Sequence, residues 1–372
     1  MPKANETVLE IDLNALSHNY RYLSSKLKSP TKIMGVVKAF GYGSDAIEIS
    51  KELQTLGIDY LAVAYAEEGV ALRNEGITVP ILVLHPQIIN MGILLDQCLE
   101  PSLYSMKTLD RFIEISDEMK QLDYPVHIKF NTGLNRLGFQ KKDIKSIVAK
   151  INNATGVKVK SVFSHLAASE DLSEKEFSNS QILAFESISQ KFIEASGIRP
   201  MLHMCNTSGI LNYPEAHFDM VRSGIGLYGF GNSTEESMNF KPIATLKTII
   251  SQIHHVEKGA TVGYNRAYTV EPDTHEQVIA TLPVGHADGI SRSYGNGKGW
   301  VTINGQKAPI VGNVCMDMIM VNITTIPCNE GDEVIIFGQH PSAEVLSQSI
   351  RSISYELITA ISQRVKRVFV KN

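Results

Sequence analysis

The chain predicts an N-terminal (β/α)8 barrel of the TIM type followed by a smaller, mostly β domain. Three observations carry that prediction. Eight short apolar or β-branched runs alternate with segments of helical spacing. Those runs are too apolar to leave one face in water, and the later part of the chain changes to strand-like runs separated by glycine, asparagine and proline. At 372 residues the chain exceeds one barrel, which takes about 250, and leaves room for one smaller domain.

In chain order, "DLNALSHNYRYLSSKL" puts Leu13, Leu16, Tyr20, Leu23 and Leu27 at steps of three and four, which marks one face of a helix. The eight strand-like runs follow: "KIMGVVK", "YLAVA", "PILVL", "PSLYS", "PVHIKF", "VKVKSVFSH", "RPMLHMCN" and "DMVRSGIGLYG". Most gaps between them hold a helical pattern; "SQILAFESISQKFIEAS" places Ile182, Phe185, Ile188 and Phe192 on one side. This alternation implies parallel strands covered by helices, and eight such units close into a barrel; an open doubly wound sheet is the alternative. We assign residues 1–240 to the barrel and 241–372 to the β domain. In the second segment "KTIISQIHHV", "QVIATLPVG", "WVTING", "IMVNI" and "DEVIIFG" read as strands, and "SYELITAISQRVKRVFV" as a helix and a closing strand.

Composition narrows the function classes. With 43% hydrophobic and 20% charged residues the chain can bury substantial cores and does not read as disordered. A pI near 6.3 argues against a nucleic-acid partner, because phosphate binding requires a basic surface. The N-terminal "MPKANETVLEID" has no apolar signal core, and the longest uncharged stretch, "ILVLHPQIINMGILL", is interrupted by His, Pro, Gln and Asn, so no membrane segment is expected. Cys98, Cys205, Cys315 and Cys328 lack CxxC spacing. We read them as reduced thiols of a cytoplasmic protein, not as zinc ligands or a disulfide framework, and expect no metal.

Barrel chemistry is built where strands end, since the loops there converge over the mouth. Lys38, Lys129, His165, Asn206 with Thr207, and Arg222 fall at or just beyond the ends of the first, fifth, sixth, seventh and eighth predicted strands. Singly, each has an ordinary reading: a solvated lysine, a core histidine, an ion-paired arginine. Together, five polar ends on one face point to a site.

The ordered blocks "VVKAFGYG", "VHIKFNTGLNRLGF", "SHLAASE", "HMCNTSG", "VRSGIGLYG", "GYNRAYTV", "GHADG" and "VGNVCMDM" resemble the alanine racemase family over nearly the whole chain. The resemblance implies a homodimer that binds pyridoxal phosphate on the barrel and completes each site with the partner's β domain. Lys38 is then the lysine that bonds to the cofactor, and amine chemistry requires it neutral and partly desolvated, which the preceding valines suit. Tyr42, Thr207 and the backbone around Gly224 and Ile225 take the phosphate, and Asn206 lies with them. Arg222 faces the pyridine nitrogen, where a donor that cannot give up its proton leaves the nitrogen unprotonated and the carbanion short-lived.

By the same resemblance, Lys38, acting on the D isomer, and Tyr264 of the partner subunit, acting on the L isomer, are the two acid/base groups on opposite faces of a small amino-acid substrate, with His165 between Tyr264 and Arg222. Arg136 and the Met316 amide hold the substrate carboxylate, with Asp317 beside the tyrosine network, and Lys129 is open to carbamylation that orients Arg136. The implied activity is interconversion of L- and D-alanine, supplying D-alanine for peptidoglycan. The chain departs from the family pattern at His286 and Gln363, where tyrosines are usual at the entrance and phosphate side of the pocket, and at Asn131 and Asn135. The first two make broadened or serine specificity the alternative, while Asn131 and Asn135, where Asp and Gly are commoner, bear on how Arg136 is positioned. A barrel-fold pyridoxal phosphate decarboxylase is the runner-up class, although such enzymes place a carboxylate where Arg222 stands. A non-catalytic cofactor-binding protein would need no β domain carrying Tyr264.

Overall fold

The computed structural model describes residues 6–271 and 276–371; residues 1–5 and 372, at the ends of the two assigned segments, and residues 272–275 lie outside the described residues. The first strand, β1 (Val8–Asp12), ends on an aspartate whose Oδ1 accepts from the amides of Asn14 and Ala15 at 2.8 and 3.0 Å, capping helix α1 (Leu13–Ser25). Leu13, Leu16 and Leu23 of that helix are buried, and Tyr20 and Leu27 partly so.

Eight parallel strands then close into a barrel: β2 (Lys32–Val36), β3 (Tyr60–Val63), β4 (Ile81–Val83), β5 (Glu100–Leu103), β6 (Tyr124–Lys129), β7 (Val157–Phe163), β8 (Met201–His203) and β9 (Met220–Ser223). Strand β9 pairs back onto β2, with Lys32 opposite Met220 and Gly35 opposite Ser223, and this closure rules out the open doubly wound alternative. Each of the eight apolar runs became one of these strands. Every residue of β3, β4, β5 and β9 is buried, as expected of strands with a packed barrel interior on one side and helices on the other. The helix Lys175–Ser196 is one of those covers; Ile182, Phe185, Ile188 and Phe192 all face inward.

The second architectural unit is a nine-stranded sheet. Its spatial order runs Gln252–Glu257, Glu276–Leu282, Ile319–Asn322, Gln306–Val311, Trp300–Ile303, Glu333–Phe337, Ala244–Ile249, β1 and Lys366–Val370. Strand β1 therefore lies in this sheet although it falls within the segment assigned to the barrel. It pairs antiparallel with Ala244–Ile249 and parallel with Lys366–Val370, which buries Leu9 and Ile11. The run "KTIISQIHHV" is divided at Ile250 and Ser251 between two strands, and Gln306–Val311 is a strand the sequence reading did not mark. Among the described residues no helix is long and apolar enough to cross a membrane.

Candidate active site

The chain leaves β2 through Val37 into a turn of left-handed backbone. Ala39, Phe40 and Gly41 have φ of 54°, 55° and 59°. For a residue with a Cβ this costs about 1–2 kcal/mol each, so other contacts must impose it. Two side chains do. Glu68 accepts from the Ala39 amide at 2.7 Å with one carboxylate oxygen and from the Ala64 and Tyr65 amides at 2.6 and 3.2 Å with the other. The Arg367 guanidinium lies over the Phe40 ring at 5.3 Å and donates to the Gly43 carbonyl at 3.1 and 2.8 Å. Gly43 itself (φ 83°) is pressed so closely on the Ser354–Ala360 helix that a Cβ there would lie 2.1 Å from the Ile358 carbonyl oxygen.

This turn delivers two functional groups. Lys38 points into a cavity of about 620 Å³ at the barrel mouth, which it shares with Lys129, Arg136, His165, Asn206, Thr207, Arg222, Gly224 and Ile225. Tyr42 stacks on Tyr228 (4.4 Å between centroids, 22° between planes), and its hydroxyl sits where a Cβ on Gly224 would be, 2.3 Å away. Only glycine leaves that space. Thr207 opens the helix Thr207–Asn212, capped by Asn206, whose Oδ1 accepts from Gly209 at 2.9 Å; the Thr207 hydroxyl lies 3.2 Å from that of Ser223 and accepts from the Gly226 amide at 3.3 Å. Hydroxyls, a helix N-terminus and a glycine turn thus border one corner of the cavity.

Among the described residues no aspartate or glutamate lines this cavity, whereas four cationic side chains do, so the space suits an anion. The electrostatics bear on each base. Burial lowers Lys38, with Arg136 adding to the effect and Glu68 opposing it. Burial also lowers Lys129, to about 8, helped by Arg222, Arg136 and Lys38. His165 falls well below its ordinary value, first by burial and then by Arg222, so it is neutral. Arg222 is lowered by burial only to about 10 and keeps its charge at neutral pH. It donates to His203 Nδ1 at 2.6 Å, His165 Nδ1 at 2.9 Å, and the Ser164 and Met204 carbonyls at 2.7 and 3.1 Å.

The lowered Lys129 has a measurable consequence. In the unfolded chain a lysine holds its proton up to about 10.5, whereas the folded one releases it near 8, so between these values the unfolded state binds more protons and stability climbs with pH. In carbon dioxide-free buffer, wild type is expected to gain stability over Lys129→Met as pH rises from 8 to 10; parallel curves would contradict the burial of an uncharged amine.

Arg136 is carried on a loop that Asn131 organises. Asn131 Oδ1 accepts from the Gly133 and Asn135 amides at 3.1 and 3.0 Å, and its Nδ2 donates to Asn135 at 2.8 Å, while Asn135 adopts φ 55°, a conformation asparagine tolerates. The two asparagines therefore support each other and the loop.

The remaining predicted residues lie elsewhere. Tyr264, Met316 and Asp317 line a separate recess of about 350 Å³ on the β unit, with Tyr264 73% and Met316 59% exposed, and none of them borders the Lys38 cavity of the same chain. Asp317 pairs with Arg364 at 2.7 Å, which also grips Asp288 at 2.7 Å. His286 is exposed in a turn whose amide donates to the Cys315 carbonyl, while the Ala287 amide donates to that of Met316, so the "GHADG" segment braces the Met316 loop. Gln363 corrects the sequence reading: it is exposed and does not line the cavity, because the residue from that region that reaches it is Tyr355, one helix earlier. Burial pushes the Tyr355 phenol up to about 12. The sequence reading also missed His203, Glu68 and Arg367. The signals were a histidine inside an apolar strand run, a glutamate at the third position of a helix, and an arginine facing a glycine turn.

The donors present fit pyridoxal phosphate: a desolvated amine for the aldehyde, a glycine and hydroxyl corner for the phosphate, and a buried guanidinium for the ring nitrogen. Fold and site together define a pyridoxal phosphate-dependent isomerase built on a (β/α)8 barrel.

Comparison with known proteins gives the family. The family model described as alanine racemase, N-terminal domain matches residues 11–231, and that described as alanine racemase, C-terminal domain matches residues 243–369. Alanine racemase 1 of Clostridium acetobutylicum is 35% identical over 98% of this chain and 95% of its own length. The solved alanine racemase of Clostridium difficile 630 superposes with a TM-score of 0.93 at 34% identity, covering 100% of this chain and 97% of that one. The Bartonella henselae alanine racemase with covalently bound pyridoxal phosphate does so with a TM-score of 0.89 at 28% identity, covering 99% of this chain and 100% of that one. The chain belongs to the alanine racemase family.

Proposed function

We propose that this protein interconverts L- and D-alanine in the cytoplasm, supplying D-alanine for peptidoglycan. It does so as a homodimer in which residues 1–240, joined by Tyr355 of the same chain, supply the cofactor site and the rest of residues 241–372 completes the site of the other chain. One observation carries the reading: Lys38 stands in a cationic cavity that no described carboxylate lines, while Tyr264 and Met316, the groups that would oppose it, are large side chains exposed in a separate recess. An exposed apolar patch of this kind marks a surface that meets another molecule. Unpaired cysteines and ordinary acidic composition support the compartment.

Lys38, Tyr42, Asn206, Thr207, Arg222, the Gly224–Ile225 turn and Tyr355 would hold the cofactor. Bound there, pyridoxal phosphate supplies the electron sink that acidifies the substrate Cα–H. Lys38, lowered by burial, takes or returns that proton on one face. Tyr264 of the partner subunit does so on the other. Because His165 Nδ1 accepts from Arg222, its single proton is on Nε2, a donor left for the phenol oxygen of Tyr264 of the partner subunit. Arg222 keeps its proton and so leaves the cofactor ring nitrogen bare, which favours racemisation over decarboxylation or transamination. Arg136, with the partner subunit's Met316, receives the substrate carboxylate as a planar fork. Lys129 near 8 is open to carbamylation, and the pH titration described above, run with bicarbonate, is expected to lose its slope.

Gln363, one ground for broader specificity, falls away with its position outside the cavity, and we take alanine as the substrate. Incubating the protein with L-alanine in deuterium oxide is expected to yield D-alanine carrying deuterium at Cα. Carbon dioxide released with no D isomer would replace this reading with the decarboxylase.

A further inference from the structure

Beneath the cavity, five successive barrel strands each contribute one buried polar residue: Glu100 from β5, His127 from β6, Ser161 from β7, His203 from β8 and Arg222 from β9. They form an unbroken hydrogen-bonded file. Arg222 Nη1 lies 2.6 Å from His203 Nδ1, His203 Nε2 is 2.9 Å from Ser161 Oγ, Ser161 Oγ is 2.5 Å from His127 Nδ1, and His127 Nε2 is 2.6 Å from Glu100 Oε2. Ring packing fixes the two histidines in place: His203 stacks on Phe163 (4.8 Å, 2°), and His127 meets Tyr60 edge-on at 6.0 Å. The Tyr60 hydroxyl also hydrogen-bonds Glu100.

The chemistry of the two ends sets the direction of the file. A guanidinium can only donate, so His203 Nδ1 must accept and its proton sits on Nε2. That proton goes to Ser161, whose own goes to His127 Nδ1, leaving the His127 proton on Nε2 toward Glu100. An ionised carboxylate can only accept. With one proton on each ring, donor-only and acceptor-only ends permit a single arrangement, and it leaves no buried polar atom along the file without a partner. Among the described residues no carboxylate touches Arg222, so Glu100 is the anion to which this cation is joined, through three intervening side chains of the barrel core.

We infer that Glu100, His127 and Ser161 are positioning residues for Arg222: a one-way relay that locks the His203 tautomer and thereby holds the guanidinium where the cofactor ring is expected. This rests on the role given to Arg222 above. In the cofactor-loaded protein carrying ¹⁵N-labelled histidine, NMR is expected to show His127 and His203 each with one proton, on Nε2, and a bare Nδ1. An Nδ1–H tautomer or a doubly protonated ring at either residue would overturn the relay. This readout needs no turnover, so it stands or falls apart from the proposed activity. In Glu100→Leu, the His127 proton is expected to shift in part to Nδ1, and kcat to fall roughly tenfold or more in both directions with KM within about twofold, the size of one lost buried hydrogen bond. Unchanged kcat would overturn it. Should Glu100→Leu not fold, Ser161→Ala cuts the file without stranding a charge, and the same fall or its absence decides.

Discussion

Lys38→Ala is expected to lower racemisation in both directions by at least about 10⁴-fold, because one residue supplies both the covalent anchor and an acid/base group, functions whose joint loss exceeds that of a single base. The visible absorbance of the bound cofactor, and its sensitivity to borohydride, should vanish with it. The fold should not suffer. Burial lowers Lys38, which means that the native structure disfavours its charged form and gains nothing from the ammonium. Apo Lys38→Ala is therefore expected to melt at or above the temperature of apo wild type. The left-handed turn stays in place, since Glu68 grips the Ala39 amide and Arg367 the Gly43 carbonyl, neither through the lysine side chain. A variant that keeps more than a hundredth of wild-type turnover would remove Lys38 from the mechanism.

Tyr264→Phe is expected to cost roughly 10²- to 10⁴-fold in L-to-D turnover, the usual worth of a positioned base. Enantiomers have equal free energy in water, so kcat/KM must fall by the same factor in the D-to-L direction. The asymmetry between the two bases therefore has to be read from hydrogen exchange. In deuterium oxide the variant should still wash deuterium into the Cα of D-alanine through Lys38, without producing the L isomer, while L-alanine keeps its hydrogen. Exchange into L-alanine at the wild-type rate would show that another group serves that face. Because Tyr264 is largely exposed in its own chain, the substitution should leave the fold of each subunit nearly unchanged.

The barrel was legible because parallel strands buried on both sides leave continuous apolar runs, and five of the eight runs end on a polar residue that the mouth displays. Lys38, Lys129, Asn206, Thr207 and Arg222 could be read that way, from strand ends alone. Strand β1 could not, since its five residues abut the pattern of α1 and its pairing partners are more than 230 residues away. Gln306–Val311 escaped because it opens on two polar residues and contains Pro309, a residue that normally demotes a run from strand status. Within the site, Tyr355 sits in a helix whose docking against the Gly43 turn is a tertiary event with no local signature, whereas Gln363 rests on the family resemblance alone. His203 lies within an apolar run and Glu100 directly before one, so they read as an interruption and a flank of strands; only the closed barrel aligns them with Arg222.

Separate chains meeting at one site is the central claim, and mixing two disabled variants tests it most directly. Lys38→Ala and Tyr264→Phe, co-refolded or co-expressed in equal amounts, form mixed dimers in which one site has both wild-type residues and the other has neither. With random pairing, half the dimers are mixed and half their sites are intact, so activity should recover to about a quarter of wild type. A mixture no more active than the better of its two components would show that Lys38 and Tyr264 do not act across the subunit boundary.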